Sequence, residues 1–310
     1  MSLHHWKRTI LHDEQFRGEK NMAARRNFNH VLSGGARQPK GRGGGGKKNI
    51  VFAIPSYNRA DLIVHKTLAF LRKNKIPKSH VYIFVHDQVS DYRKTCGAGY
   101  HIINSRIKPG PGGLVGQRNV IRTYFPTGTR VFTMDDDIKD IVFHPKRKRG
   151  MTFRKFLSYG FAKCKRLGLL HFGIVGHDNT FYFKNNDTTT LKYCPGGCCG
   201  FIADPMWKNT YWKQKHDQFE DYELVLKLFK KFGRVLRLNW VGIKTNYYNP
   251  NGGMGSVGKR HGAAKTRGRF LMKAYPGWVT LYDKKVKGVS IPNIRLNHHA
   301  HGVLPGVAAK

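Results

Sequence analysis

The stretch Asn49-Ile-Val-Phe-Ala-Ile54 is an apolar, β-branched run without polar alternation, the pattern of a strand covered on both faces. Pro55-Ser-Tyr-Asn-Arg59 ends it, and Asp61 to Lys73 then shows helical spacing through Leu62, Ile63, Leu68 and Leu71. A second strand, Val81-Tyr-Ile-Phe-Val85, stops at His86-Asp87. The loop Pro109-Gly-Pro-Gly-Gly113 leads into a helix carrying Val120, Ile121 and Tyr124, and the strand Arg130-Val-Phe-Thr-Met134 runs straight into acids. This alternation predicts an open α/β sheet, mixed but mainly parallel and Rossmann-like, with flanking helices. Ligands of such sheets lie beyond the carboxyl ends of the strands, which here are Pro55–Arg59, Asp87 and Asp135–Asp137. Further strands are expected within 172–205 (Gly173-Ile-Val, Gly200-Phe-Ile-Ala) and a helix from Gln218 to Lys231. Residues 246–269 are glycine-rich and basic without apolar periodicity, which predicts a mobile loop.

Composition alters this picture at the amino end. Residues 1–48 are basic and poor in aliphatics, and include the run Gly41-Arg-Gly-Gly-Gly-Gly46; we expect a flexible arm ahead of one domain over 49–310. No apolar run is long enough to span a bilayer, and the start lacks a signal-peptide core, so an unexported, membrane-free protein is expected. Five cysteines, including the adjacent Cys198 and Cys199, make a poor disulfide framework and suit a reducing cytoplasm. Cys194-Pro-Gly-Gly-Cys198-Cys199 has no second ligand pair at zinc spacing.

Charge is the strongest global signal. Against 56 Lys and Arg stand 18 Asp and Glu, a net charge of +38, which calls for a polyanionic partner such as nucleic acid. Eight of the 18 acids nevertheless fall in two short windows, Asp135-Asp136-Asp137 with Asp140, and Asp217 with Glu220, Asp221 and Glu223.

In an extended segment Asp135 and Asp137 point the same way and can share Mg²⁺ or Mn²⁺, hard cations suited to oxygen ligands and phosphates. An acidic turn capping a helix is the plainer alternative. Gly112-Gly-Leu-Val-Gly116 opening a helix offers backbone amides to an anion, with Gln117, Arg118 and Asn119 following. On the helix begun by Phe219-Glu220-Asp221, Asp221 aligns with Val225 and Leu228 at the apolar border, while Glu220 aligns with Glu223 and Lys227 towards solvent. Asp221 is thus a candidate general base, with helix-dipole complementation as the alternative. Gly253-Met-Gly-Ser-Val-Gly258-Lys259 has P-loop spacing, but Arg260 replaces the Ser or Thr that holds Mg²⁺. Lys259, Arg260, Lys265, Arg267 and Arg269 read better as a phosphate clamp, and Lys146, Arg147, Lys148 and Arg149, with Lys163 to Arg166, as further DNA-contacting patches. Trp207, Tyr211 and Trp212 are either base-stacking or core aromatics.

The ordered set Pro55-Ser-Tyr-Asn-Arg59, Asp87, Gln117-Arg118-Asn119, Asp135-x-Asp137, Gly196–Gly200 and Glu220-Asp221 resembles the GT-A glycosyltransferases. Gly116-Gln-Arg-Asn leading to Phe132-Thr-Met-Asp-Asp-Asp-Ile is similar, more narrowly, to bacteriophage glycosyltransferases associated with TET-type hydroxylases, relatives of the base J glucosyltransferase. The resemblance spans about residues 49–248. It implies a UDP-sugar donor, UDP-glucose first among them. Pro55, Ser56, Tyr57, Arg59 and Asp87 would lie along uracil and ribose, and Asp136 near the ribose or sugar. Asp135 and Asp137 would hold Mn²⁺ or Mg²⁺ on the diphosphate. Gly196 to Gly200 would shape the acceptor side, and Asp221 of the x-Glu220-Asp221 motif would deprotonate the acceptor in an inverting displacement. The acceptor implied is double-stranded DNA with hydroxymethylated pyrimidines in a phage-infected bacterial cytoplasm. One departure stands out: the family's metal-binding His after the x-Glu-Asp motif is missing from Asn239–Asn246, leaving His261, Asn246, His298, His299, His301 or water as the third ligand. Two other readings fit part of this pattern: a transferase acting on cell-surface or lipid-linked saccharides, and a non-catalytic DNA-binding protein on the same fold.

Overall fold

In the computed structural model the described residues are 49–110, 112–209, 218–245, 257–286 and 289–300. The expected flexible arm, Tyr211, Trp212, Asn246 and His301 lie outside them, as do the side chains of Lys259, Arg260 and His261.

The expected first strand forms as β1 (Ile50–Pro55). Next come α1 (Ala60–His65), α2 (Thr67–Lys73), β2 (Val81–Val85), α3 (Val89–Cys96), β3 (His101–Asn104), α4 (Gly113–Tyr124) and β4 (Arg130–Met134). β5 (Asp140–Phe143), α5 (Pro145–Lys148), α6 (Phe153–Leu167), β6 (His171–Val175), β7 (Asp187–Thr188) and β8 (Cys198–Ile202) follow. α7 (Glu220–Phe232), β9 (Leu236–Lys244), α8 (Val257–Ala274) and the antiparallel pair β10 (Val279–Val286) and β11 (Val289–Leu296) complete the described chain.

Nine strands form one sheet in the order β3-β2-β1-β4-β8-β6-β9-β5, with β7 also on β9. β1 to β4, β6 and β9 run one way and β5, β7 and β8 the other, so the sheet is mixed and mainly parallel. The first four strands stand as 3-2-1-4. The chain therefore leaves β1 on one side and returns on the other at β4, the topological switch point where open α/β sheets bind ligands.

The unbroken apolar runs are explained by burial on both faces. Phe52, Ile54, Ile83, Val85 and Phe132 pack under α2, α3 and α6 on one side, while Ala53, Tyr82, Phe84, Val131 and Phe201 pack under α4 and α7 on the other. Trp207 is fully buried with the Arg122 guanidinium 4.5 Å from its ring centre, so it belongs to the core rather than to a stacking surface.

Two expectations change. The helix from Asp61 to Lys73 is two helices broken at Lys66, and Thr67, freed at the break, clasps the acidic turn described below. The expected mobile loop is helical from Val257 onward: Ala264 and Leu271 are buried, and Gly268 lies close to Leu281 and Ile294 of the β10–β11 hairpin. Glycines at 258, 262 and 268 weaken intrinsic helicity and blur the apolar spacing, so packing rather than propensity carries this helix.

Candidate active site

Four parallel strand ends meet at one edge of the sheet. Pro55–Arg59 follow β1, Asp87 follows β2, Asp135–Asp137 follow β4 and Thr245 follows β9. The acids after β4 occupy a turn, not the extended segment the spacing suggested, so each carboxylate takes its own direction and its own partner. Asp136 is buried: Ser56 Oγ donates to its Oδ2 at 2.6 Å and Arg59 Nη1 to its Oδ1 at 2.9 Å. Burial pushes its carboxyl up to about 6 against the opposing pull of Arg59 and Ser56. Tyr92 backs the pair, its hydroxyl 2.7 Å from Ser56 Oγ and accepting from Arg59 N at 3.1 Å. Asp136 therefore welds β4 to β1 and does not present itself to a ribose or sugar, which corrects its expected role.

Asp135 and Asp137 are differently placed. The Asp135 side chain is 36% exposed, with Arg118 Nη2 donating to its Oδ1 at 3.1 Å. Thr245 Oγ1 donates to Asp137 Oδ1 at 2.8 Å. Burial and the charge of Asp135 both raise the Asp137 carboxyl, the electrostatic state that a cation between them relieves. The backbone between them is fixed: Thr67 Oγ1 donates to Asp135 O at 2.7 Å and accepts from Ile138 N at 3.0 Å, and Asp135 N donates to Gly197 O at 2.7 Å. Among the described residues no cluster of three or more His, Cys, Asp or Glu side chains is arranged for a metal. The donor set thus fits a hard divalent ion with two protein carboxylates and its other ligands from phosphate and water, as Mg²⁺ commonly binds. His298, one of the candidates for a third ligand, is engaged elsewhere, its Nδ1 2.7 Å from Leu191 O.

The second acidic window reaches the same edge through Arg118. This buried guanidinium bonds Glu220 through Nη1 and Asp135 through Nη2, joining α4, α7 and the turn after β4. Glu220 was expected to face solvent but is only 5% exposed, and Glu223, also buried, pairs with Lys227 and Arg267. The amphipathic reading failed because α7 is covered on more than one face, by the sheet and by α8. Glu220 is consequently a structural ion pair, whereas its neighbour Asp221 is half-buried and aimed elsewhere. Tyr193 OH donates to Asp221 Oδ2 at 2.7 Å, and the backbone N–H groups of Tyr222 and Gly196 also reach the carboxylate. Burial raises the Asp221 carboxyl and these donors oppose it, leaving a partly desolvated base held in one orientation. Gly196 and Gly197 leave room for the site: a Cβ on Gly196 would displace the Arg118 guanidinium, and one on Gly197 the Asp135 carboxylate.

The remaining expected residues divide. Tyr57 and Asp87 are exposed at the mouth, Asp87 anchored by Asn104 Nδ2 at 2.7 Å. Gln117 is buried and Asn119 half-buried on α4. Among the expected DNA contacts, Lys146, Lys148, Arg149, Lys265 and Arg269 are exposed. Arg267 is neutralised by Glu223, and Arg147 lies 4.6 Å over the Trp240 ring while bonding Asn185, so neither is a free phosphate contact. Thr67, Tyr92, Tyr193 and Thr245 went unnoticed in the sequence, since single hydroxyls distant from any motif carry no local pattern. The five cysteines are all unpaired.

No protein-family model and no curated protein matches the chain. Among solved structures it is loosely similar to a mannosyltransferase from Pyrobaculum calidifontis in complex with GDP-Man and Mn²⁺, at 14% identity and TM-score 0.47, covering 79% of this chain and 69% of that one. A glucosyl-3-phosphoglycerate synthase from Mycobacterium tuberculosis, in complex with Mn²⁺, UDP and glucosyl-3-phosphoglycerate, gives 8% identity and TM-score 0.41 over 82% and 89%. At such values the likeness carries no functional weight, and the architecture rests on this chain's own strand order: a mixed, mainly parallel α/β sheet with its acidic site at the switch point.

Proposed function

We propose that this chain is a metal-dependent GT-A glycosyltransferase that moves a hexose from a UDP-sugar to the hydroxyl of a 5-hydroxymethylpyrimidine in DNA. The observation that carries the reading is the convergence of two separate carboxylate pairs on one sheet edge, with Arg118 bridging Asp135 to Glu220 and Asp221 standing beside it. One pair suits a metal on a diphosphate and the neighbouring window supplies a base, the two components that transfer from a nucleotide sugar needs.

In this scheme the nucleotide lies across the ends of β1 and β2, along Pro55, Tyr57 and Asp87. Asp135 and Asp137 would hold a Mn²⁺ or Mg²⁺, which would neutralise charge developing on the UDP leaving group. Asp221 accepts the proton of the acceptor hydroxyl. That oxygen bonds to the anomeric carbon as the bond to UDP breaks, and attack opposite the leaving group inverts configuration. Tyr193 fixes the Asp221 carboxylate, and Arg118, by holding Glu220, fixes the start of α7.

The DNA acceptor is supported by the net charge of +38 and by exposed Lys146, Lys148, Arg149, Lys265 and Arg269. A base within a duplex must be extruded for its hydroxymethyl oxygen to come within about 3 Å of Asp221. The test is incubation of the protein with Mn²⁺, a panel of UDP-sugars and duplex DNA containing cytosine, 5-hydroxymethylcytosine or 5-hydroxymethyluracil, followed by mass spectrometry of the nucleosides. A sugar-sized gain on one hydroxymethyl base is expected. UDP-sugar hydrolysis without a gain on any base would remove DNA as the acceptor and direct attention to a saccharide, and absence of any UDP-sugar turnover would remove the transferase.

A further inference from the structure

Beyond β6 the chain makes a turn whose side chains are unusual for a surface. Phe181 is 83% exposed and Tyr182 65% exposed, their rings 5.2 Å apart and perpendicular. The segment is nonetheless firmly built. Asn179 Oδ1 accepts from Phe181 N at 3.1 Å, Phe183 N donates to Thr180 O at 3.1 Å, and Lys184 N donates to Asn239 O at 3.0 Å. Phe183 is buried beneath, and both its ring and the carbonyl of His177 press on Gly242 of β9 so closely that a Cβ there would clash. Two large rings are thus held in water by a rigid base, which is costly unless a partner covers them.

The surroundings are cationic. Lys184 is exposed, and Lys192 and Arg237 are half-buried beside one another; the Lys192 ammonium is pushed down by burial first, then by the charges of Arg237 and Lys184. Among the described residues Lys184, Lys192 and Arg237 form no ion pair. The acids near this turn are Asp178, exposed within it, and Asp187, which is already bonded by Lys163, Tyr159 and Trp240. Arg147 ties α5, with Lys146 and Lys148, to Asn185 at the turn's far end. The cluster also leads to the candidate base: Arg237 Nη1 donates to Tyr193 O at 3.2 Å, and Tyr193 OH donates to Asp221.

We propose that Phe181 and Tyr182 form a stacking platform for bases of the acceptor DNA, with Lys184 and Lys192 on its phosphates, on the surface that leads to Asp221. This inference rests on the DNA-transferase reading and adds to it the surface that takes the nucleic acid. Charge complementarity selects a polyanion, and the paired rings select one with flat faces to stack, which a membrane surface or a heparin-like chain lacks.

The test uses the full chain and a short fluorescein-labelled duplex containing a hydroxymethyl base, with affinity read by anisotropy across a salt series. UDP-sugar hydrolysis in Mn²⁺ is measured alongside. The double variant Phe181→Ala/Tyr182→Ala is expected to lose about tenfold or more in affinity with its salt dependence unchanged, since stacking involves no counterion release. Phe181→Tyr/Tyr182→Phe is expected to bind like the parent chain. Lys184→Gln/Lys192→Gln is expected to lower the log–log salt slope by about two. Donor hydrolysis and thermal unfolding are expected to be unchanged in all three. Tight DNA binding by the parent with undiminished binding by the double-alanine variant would overturn the platform while leaving the DNA reading intact. No DNA binding by the parent would overturn both, and concentration-dependent dimerisation lost in the double-alanine variant would assign the rings to a second copy instead.

Discussion

The two acidic windows, Asp135–Asp137 after β4 and Glu220–Asp221 at the start of α7, look alike in the sequence and are built alike in space. In each, one carboxylate is buried and consumed by a guanidinium: Asp136 by Arg59, Glu220 by Arg118. In each, the neighbours stay at the mouth, where Asp135, Asp137 and Asp221 have partners that orient them without enclosing them. The windows differ in what surrounds the outward groups. Asp135 and Asp137 repel each other, a state that favours a cation, whereas Asp221, among the described residues, has no carboxylate raising it and is held by a phenol and two amides within reach of the Arg118 charge, a setting that favours a proton acceptor. Adjacent acids therefore divide into a brace and a tool, and proximity in sequence does not make them a single ligand set.

Arg118→Ala strikes at what the windows share and is expected to have the largest effect. It leaves Glu220 charged and buried, so we expect about 3–5 kcal/mol of destabilisation in urea titration together with loss of activity. Asp221→Asn separates tool from brace. Transfer is expected to fall about 10²–10⁴-fold while the unfolding midpoint holds, and Glu220→Gln should instead lower the midpoint. Equal stability losses in both would break the comparison. Tyr193→Phe sharpens it further. The Tyr193 hydroxyl opposes the upward push of burial on the Asp221 carboxyl, so its removal raises that carboxyl again. A base works deprotonated, so the acid limb of kcat/KM should move to higher pH; a profile that drops in height without moving would contradict the base role. Thr245→Ala, which removes one hydrogen bond to Asp137, is the mildest change, expected to weaken Mn²⁺ affinity several-fold and stability by about 1 kcal/mol.

Much of the sheet was legible because strands buried on both faces leave unbroken apolar runs, as Ile50–Ile54 and Val81–Val85 do, and because the acids sit where a parallel strand ends. Asp135, Asp137 and Asp221 stand out in the sequence because acids are scarce and clustered in this chain, and Arg118 because it follows a glycine-rich turn just ahead of them. The assignment of Asp136 and Glu220 to ion pairs was not, because it depends on Arg59 and Arg118 arriving from other elements, separated by 77 and 102 positions. Nor were Thr67, Tyr193 and Thr245, whose roles come from where the fold carries a hydroxyl. The helix over 257–274 was hidden by its glycines and revealed by the hairpin it packs on.

The central claim is that the outward carboxylates after β4 hold a metal for a nucleotide diphosphate, and calorimetric titration of UDP with and without Mn²⁺ tests it most directly. The account predicts binding that requires Mn²⁺ and disappears in both Asp135→Asn and Asp137→Asn. UDP binding indifferent to Mn²⁺ and to both substitutions would contradict it.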